Sequence, residues 1–165
     1  MKFKKLFLYL LMSCLFVTCS NSVSGPDEQF VNIHYKYFYK DELNTFNNSL
    51  TKDLFAKGTV TIDSYLTNKE QNLILRKAFD LGFFNLPDTL NYAGPDSIKC
   101  KLEPDPGLQY LRIKYKNKDK TVCWFLVNSC PAEYKKIIEL TSAIKDIIES
   151  DFRYKILPDR EGTPL

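Results

Sequence analysis

Ten consecutive residues, FVNIHYKYFY at positions 30–39, change polarity at every second position. Val31, Ile33, Tyr35, Tyr37 and Tyr39 fall on one side, and Asn32, His34 and Lys36 on the other. A period of two is the mark of a strand buried on one face. The segment therefore commits the chain to a sheet with an inside and an outside. His34 falls on the outer side, where an exposed, solvated imidazole is expected.

The same pattern returns further along. After a polar loop, DELNTFNNS, the segments LTKDLF (50–55) and TVTIDSY (59–65) flank a tight AKG turn and read as a hairpin. SIKCKL (97–102), LQYLRIKY (108–115) and TVCWFLV (121–127) form a second strand set, with NKDK turning between the last two. In the simplest register Leu111, Ile113 and Tyr115 lie on the same face as Leu126, Trp124 and Val122, which buries the only tryptophan. The 12 Phe and 10 Tyr suit strands and a packed core rather than an aromatic glycan-binding surface.

Two helices separate and follow these strands. Thr67-Asn68-Lys69-Glu70 has the form of a capping box, and Leu73, Ile74, Leu81 and the stem of Lys77 share a stripe, which predicts a helix over 68–81. Gly82 should stop it in the left-handed conformation, with Phe83, Phe84 and Leu86 folding back as a hydrophobic plug. Residues 87–96 read as a loop. Ser129 or Cys130 caps a longer helix with Pro131 at its first position and a stripe of Tyr134, Ile137, Ile138, Thr141, Ile144 and Ile148. The order of strands, helix, strands, helix predicts an α+β fold, with about six strands in a mostly antiparallel sheet and two helices packed on one face. The two halves share an element order without an alignable repeat.

Ahead of the domain, Lys2, Lys4 and Lys5 precede an apolar run from Leu6 to Val17. As a helix the run is roughly 18 Å long against a hydrocarbon core of roughly 30 Å, too short to span, and it reads as a secretory signal. The net charge of +3 comes from those three lysines, since all 20 acidic residues lie downstream and equal the basic residues that remain. No basic cluster is left to suggest a nucleic-acid partner.

Two cysteines compete as the end of a lipoprotein signal. Cys14 has Leu11 and Ser13 at the favoured positions before it, whereas Cys19 follows Phe16, Val17 and Thr18. Cleavage at Cys14 would leave only Leu6–Leu11 as an uninterrupted apolar run and expose Leu15, Phe16 and Val17 on the product. Segment length favours Cys19 as the lipidation site. The expected organisation is a signal over 1–18, a lipidated flexible tether over 19–29, one globular domain over 30–157 and a tail over 158–165. Two or three acyl chains make such attachment effectively permanent. Ser20 is not an acidic retention signal, which favours the outer membrane over the inner in a two-membrane envelope.

Cys100, Cys123 and Cys130 allow at most one bridge, Cys100 to Cys130 or Cys100 to Cys123. Their spacing matches no zinc pattern, and nothing in it sets one of them beside His34 as nucleophile and base.

Several stretches resemble a group of uncharacterised secreted bacterial lipoproteins: DELNTF (41–46), TKDL (51–54), FFNLPD (83–88), KTVCW (120–124) and the LP of LPDREG (157–158). The resemblance covers most of the chain after the signal and implies export and lipidation without an activity. The tail departs from the group's glycine-and-aromatic ending, running Gly162, Thr163, Pro164, Leu165.

Chemistry-bearing residues are sparse. Asp41, Glu42 and Asn44 offer oxygen ligands but lack the alternating acids and turn glycine of a calcium loop. Asp41 and Asn44 are expected instead to bond their own loop backbone, with Leu43 and Phe46 pinning the loop to the core. Asp63, Asp88, Asp96, Glu103 and Asp105 are candidates for a glycosidase-like carboxylate pair that nothing in the sequence brings together. No phosphate loop, nucleophile elbow or zinc-protease helix is present in the sequence. No catalytic residue, metal or cofactor is assigned. The expected function is a lipid-anchored envelope protein, a non-enzymatic structural module or one that binds an envelope protein or glycan. The alternative is a small envelope hydrolase using carboxylates near residues 87–106.

Overall fold

A computed structural model describes residues 30–63, 65–90, 101–102, 108–125, 127–128 and 132–163. Cys14, Cys19 and the tether lie outside these residues, as do Cys100, Cys130, Asp96, Glu103, Asp105 and the start of the last long helix.

The alternating segment forms the central strand. β1 (Asn32–Tyr37) lies between β2 (Asp41–Asn44) and β7 (Leu108–Tyr115), pairing antiparallel with both. β3 (Ser49–Asp53) and β4 (Thr59–Asp63) extend the sheet beyond β2, and β8 (Lys118–Phe125) and β5 (Thr89–Leu90) extend it beyond β7. The order is β4-β3-β2-β1-β7-β8-β5, antiparallel throughout except that β5 runs parallel to β8. β6 (Lys101–Leu102) and β9 (Val127–Asn128) form a separate antiparallel pair.

The α+β class is as expected, with seven strands in the main sheet instead of about six. One added strand is DELN, which the sequence presented as loop. Asp, Glu and Asn are poor strand formers. Their burial nevertheless alternates, Asp41 and Leu43 inward, Glu42 and Asn44 outward. The other is β5, two residues within the stretch read as a loop, held where the Cys123 N–H donates to the Asp88 carbonyl at 2.8 Å. β8 also begins earlier than expected, leaving a two-residue turn at Lys116-Asn117 between Tyr115 and Lys118.

The inner face carries Val31, Ile33, Tyr35, Tyr37, Leu43, Leu50, Leu111, Ile113, Val122 and Trp124, all buried. Leu111 and Val122 share the inner face as expected, but the two-residue turn sets the register so that Leu111 stands opposite Val122 instead of Leu126. Two helices cover this face: α1 (Asn68–Asp80) through Ile74, Leu75 and Ala78, and α2 (Ala132–Ser150) through Tyr134, Ile137, Leu140, Thr141, Ile144 and Ile148. α1 is rotated from the expected stripe, so that Leu73 faces solvent and Leu75 and Ala78 face the core. The capping box forms: the Glu70 N–H donates to Thr67 Oγ1 at 3.3 Å and the Thr67 N–H to Glu70 Oε2 at 2.7 Å. Gly82 takes φ 70° and Phe83 and Leu86 are buried behind it. Tyr65 ties the start of α1 to the end of α2, its hydroxyl donating to the Ile148 carbonyl at 2.6 Å. A short α3 (Phe152–Lys155), capped by Asp151, leads into the tail.

Candidate functional site

Covering one sheet face with helices leaves the other to solvent. Outward residues line up in cross-strand rows there: Glu42 opposite Lys36 opposite Tyr110, and Asn44 opposite His34 opposite Arg112. His34 is not the solvated imidazole that alternation predicts. Its side chain is 21% exposed, with Nε2 2.7 Å from Glu42 Oε1. The Tyr110 hydroxyl lies 2.5 Å from the same nitrogen and 3.2 Å from Nδ1, the two rings meeting edge-on. The imidazole is thus gripped between a carboxylate and a phenol from neighbouring strands.

The surroundings set the chemistry of this row. Burial, then the charges of Glu42 and Cys123, push the Tyr110 phenol above its ordinary range, which keeps its hydroxyl protonated. Cys123, opposite Tyr110, is a half-buried free thiol pushed up by burial and by Asp88. A thiol held neutral, with β7 between its strand and that of His34, is a poor nucleophile. Arg112 makes a forked pair with Asp119, Nε to Oδ1 at 2.8 Å and Nη2 to Oδ2 at 2.7 Å, and its guanidinium lies 4.8 Å from the Phe46 ring. That pair holds the exposed Asp119 carboxyl below the usual carboxylate range. Among the described residues, the arrangement presents held donors and acceptors on the sheet's outer face without an activated nucleophile.

Of the carboxylate candidates only Asp63 and Asp88 lie among the described residues, and these two are not brought together. Asp63 ends edge strand β4, and Asp88, exposed and paired with Lys120, precedes the opposite edge strand β5. Six inter-strand steps separate those edges, roughly 29 Å, against the roughly 5–10 Å that a glycosidase pair needs. Among the described residues no group of three or more His, Cys, Asp and Glu is arranged to hold a metal ion. Asn44 does bond its own loop, accepting from the Phe46 N–H at 3.1 Å, while Phe46 lies 40% exposed instead of in the core.

Asp41 departs most from expectation. Its carboxylate is 1% exposed and serves the neighbouring strand, not its own loop: Oδ1 accepts the Asp53 N–H at 2.6 Å. Oδ2 takes Nη2 of Arg160, a tail residue 119 positions away, whose Nε donates to the Asp53 carbonyl at 3.1 Å. The Arg160 guanidinium lies 5.1 Å from the Phe38 ring and 5.7 Å from that of Phe55. A charged residue in a Pro/Gly-rich tail carries no sign of such a partner, and this contact was not legible in the sequence.

No protein-family model matches the chain, and comparisons with curated proteins and with solved structures give no match.

Proposed function

We propose that the protein is a cell-envelope lipoprotein, anchored through acyl chains on Cys19, whose domain binds an envelope protein without catalysis. The anchor rests on the basic start, the short apolar run and the cysteine that closes it. Among the described residues no helix is long and apolar enough to cross a membrane.

The observation that most supports binding through the sheet is its one-sidedness. Helices cover the inner face, and the outer face carries preformed polar contacts centred on Glu42, His34 and Tyr110. Ordering long side chains at an interface costs about 0.5–1.5 kcal/mol each, so side chains already fixed by their neighbours suit recognition. Charges on this face alternate in sign: Lys36, Arg112 and Lys114 against Glu42, Asp63 and Asp119. Such a surface suits a neutral polar partner and not a phosphate backbone.

Photo-crosslinking in intact cells tests the reading, with the reactive residue at Thr51 or Arg112 on the sheet or at Lys135 or Glu139 on the exposed side of α2. The expected result is one discrete adduct from the sheet positions, lost on Tyr110→Ala, and none from the helix. Equal adducts from both faces, or none from either, would contradict it.

A further inference from the structure

The register of the sheet gathers several features at one of its ends. β1 begins at Asn32, opposite Lys114 near the end of β7, so the chain enters the domain beside the β7–β8 turn at Lys116-Asn117. The β2–β3 turn is at the same end, where the Thr45 N–H donates to the Ile33 carbonyl at 2.9 Å. The last turn of α1 is there too, with the Phe79 ring 6.0 Å from that of Tyr115. The β1–β2 turn, with the exposed Lys40, and the Asp41–Arg160 contact lie at the opposite end.

Large rings are left in water where the chain enters. Phe30 is 83% exposed, Phe79 44% and Phe46 40%. The Phe79 ring lies 4.9 Å from that of Phe84, which like Tyr115 is half-buried. A single exposed ring is ordinary on a protein surface, whereas several gathered at one end mark a place of contact.

Cations accompany the rings. Lys116 Nζ lies 5.3 Å from the Tyr115 ring and Lys118 Nζ 5.6 Å from that of Phe84. Both lysines are exposed, and neither forms an ion pair among the described residues. Arg76, also exposed, is three residues before Phe79 and so shares its side of α1. Of the acids on the hairpin and the last turn of α1, Asp119 is taken by Arg112, which leaves Asp80 against Arg76, Lys114, Lys116 and Lys118. Aromatic bodies with ammonium groups reaching past them into water suit the headgroup zone of a bilayer.

The position of the anchor says which bilayer. Residues 20–29 separate Cys19 from Phe30, and a segment of that length spans at most roughly 35 Å. A membrane holding Cys19 is therefore kept beside this end of the sheet at millimolar effective concentration, where a weak contact suffices.

We propose that Phe30, Phe79, Phe84, Tyr115, Lys116 and Lys118 form a docking surface for anionic lipid, which seats this end of the domain on the bilayer that carries its own anchor. The inference rests on the lipoprotein reading and adds an orientation to it. The strands stand upright on the membrane, and the outer sheet face points along it, open to a partner.

Protein extracted from membranes, its intact mass recorded, is reconstituted in phosphatidylcholine vesicles with or without phosphatidylglycerol. A water-soluble amine reagent labels its lysines, read residue by residue by peptide mass. In the anionic vesicles Lys116 and Lys118 should react more slowly relative to Lys40 than in the neutral ones, by about fivefold or more, and high salt should remove the difference. Phe30→Ser, at a ring too exposed to support the core, should weaken that protection at least twofold. Equal ratios in both vesicles, with acyl mass present, would overturn the proposal and leave the anchor standing. Absence of acyl mass would instead refute the anchor, and docking is then read by adding the anionic vesicles to the same chain at millimolar lipid. Protection of Lys116 and Lys118 there upholds the docking surface, and its absence overturns it.

Discussion

At the scale of the residue, Asp41 makes the sharpest demand. Burial raises its carboxyl from the ordinary 3.8 to about 6, against the opposing pulls of the Asp53 N–H and Arg160. Asp53 and Lys145 also face it, as do the phenols of Tyr37 and Tyr154, both pushed up chiefly by burial. The folded protein holds this proton more tightly than the unfolded chain. The stability that Asp41 contributes is therefore full below about pH 4 and lost as the pH rises to about 6. Over that window the loss is on the order of 2–3 kcal/mol. Between pH 4 and 7 denaturant melts should show the wild type losing about that much more stability than Asp41→Asn; parallel pH dependences would mean that Asp41 titrates as in the unfolded chain. Tyr39 offers a second test. Asn tolerates the left-handed backbone, φ 52° here, that an aromatic residue strains to adopt, so Tyr39→Asn should stay within about 1 kcal/mol of wild-type stability. A loss of stability near 3 kcal/mol would assign the ring a purely structural role. Neither residue was readable for this from sequence: the partners of Asp41 lie 12 and 119 positions away, and nothing in Phe-Tyr-Lys announces a left-handed backbone.

At the scale of the element, legibility followed the source of the stabilising contacts. Helix α1 was readable because its start and stop are local, a capping box at Thr67 and a left-handed Gly82. Both can be broken separately. Thr67→Ala should cost about 1 kcal/mol in thermal or denaturant unfolding. Gly82→Ala should cost about 1 kcal/mol through backbone strain alone, since no atom lies within 4 Å of the added Cβ, and Gly82→Asn should cost less. Equal effects of Ala and Asn would place the cost in packing instead. The rotation of α1, by contrast, was not local information. Leu73 and Leu75 are chemically the same, and only the position of the sheet decides which is inward. Strand β2 was hidden for a related reason: four residues with one apolar side chain pair because β1 and β3 flank them, and isolated propensity gives no hint of that. The β7–β8 hairpin was legible in its faces, since alternation alone put Trp124 inside. Tryptophan emission should accordingly be blue-shifted in the native protein and move to the red on unfolding, and an emission maximum already at the exposed position would contradict that burial.

At the scale of the whole molecule, the chain joins a one-sided sheet to a proposed membrane address. Alternation in the first strand specified that the sheet has an outside, but not what the outside would carry. The Glu42–His34–Tyr110 contacts arise from three strands, so the solvated histidine of the sequence became a held one. The proposed address is local and contiguous, which is why it could be read without any tertiary information, and it is the claim on which the functional reading depends. Intact-mass analysis of the protein extracted from membranes, wild type against Cys19→Ala, measures it directly. The account predicts a chain beginning at Cys19 and carrying acyl mass, with that mass absent from Cys19→Ala. An unmodified wild-type chain, or acyl mass retained in Cys19→Ala, would contradict it.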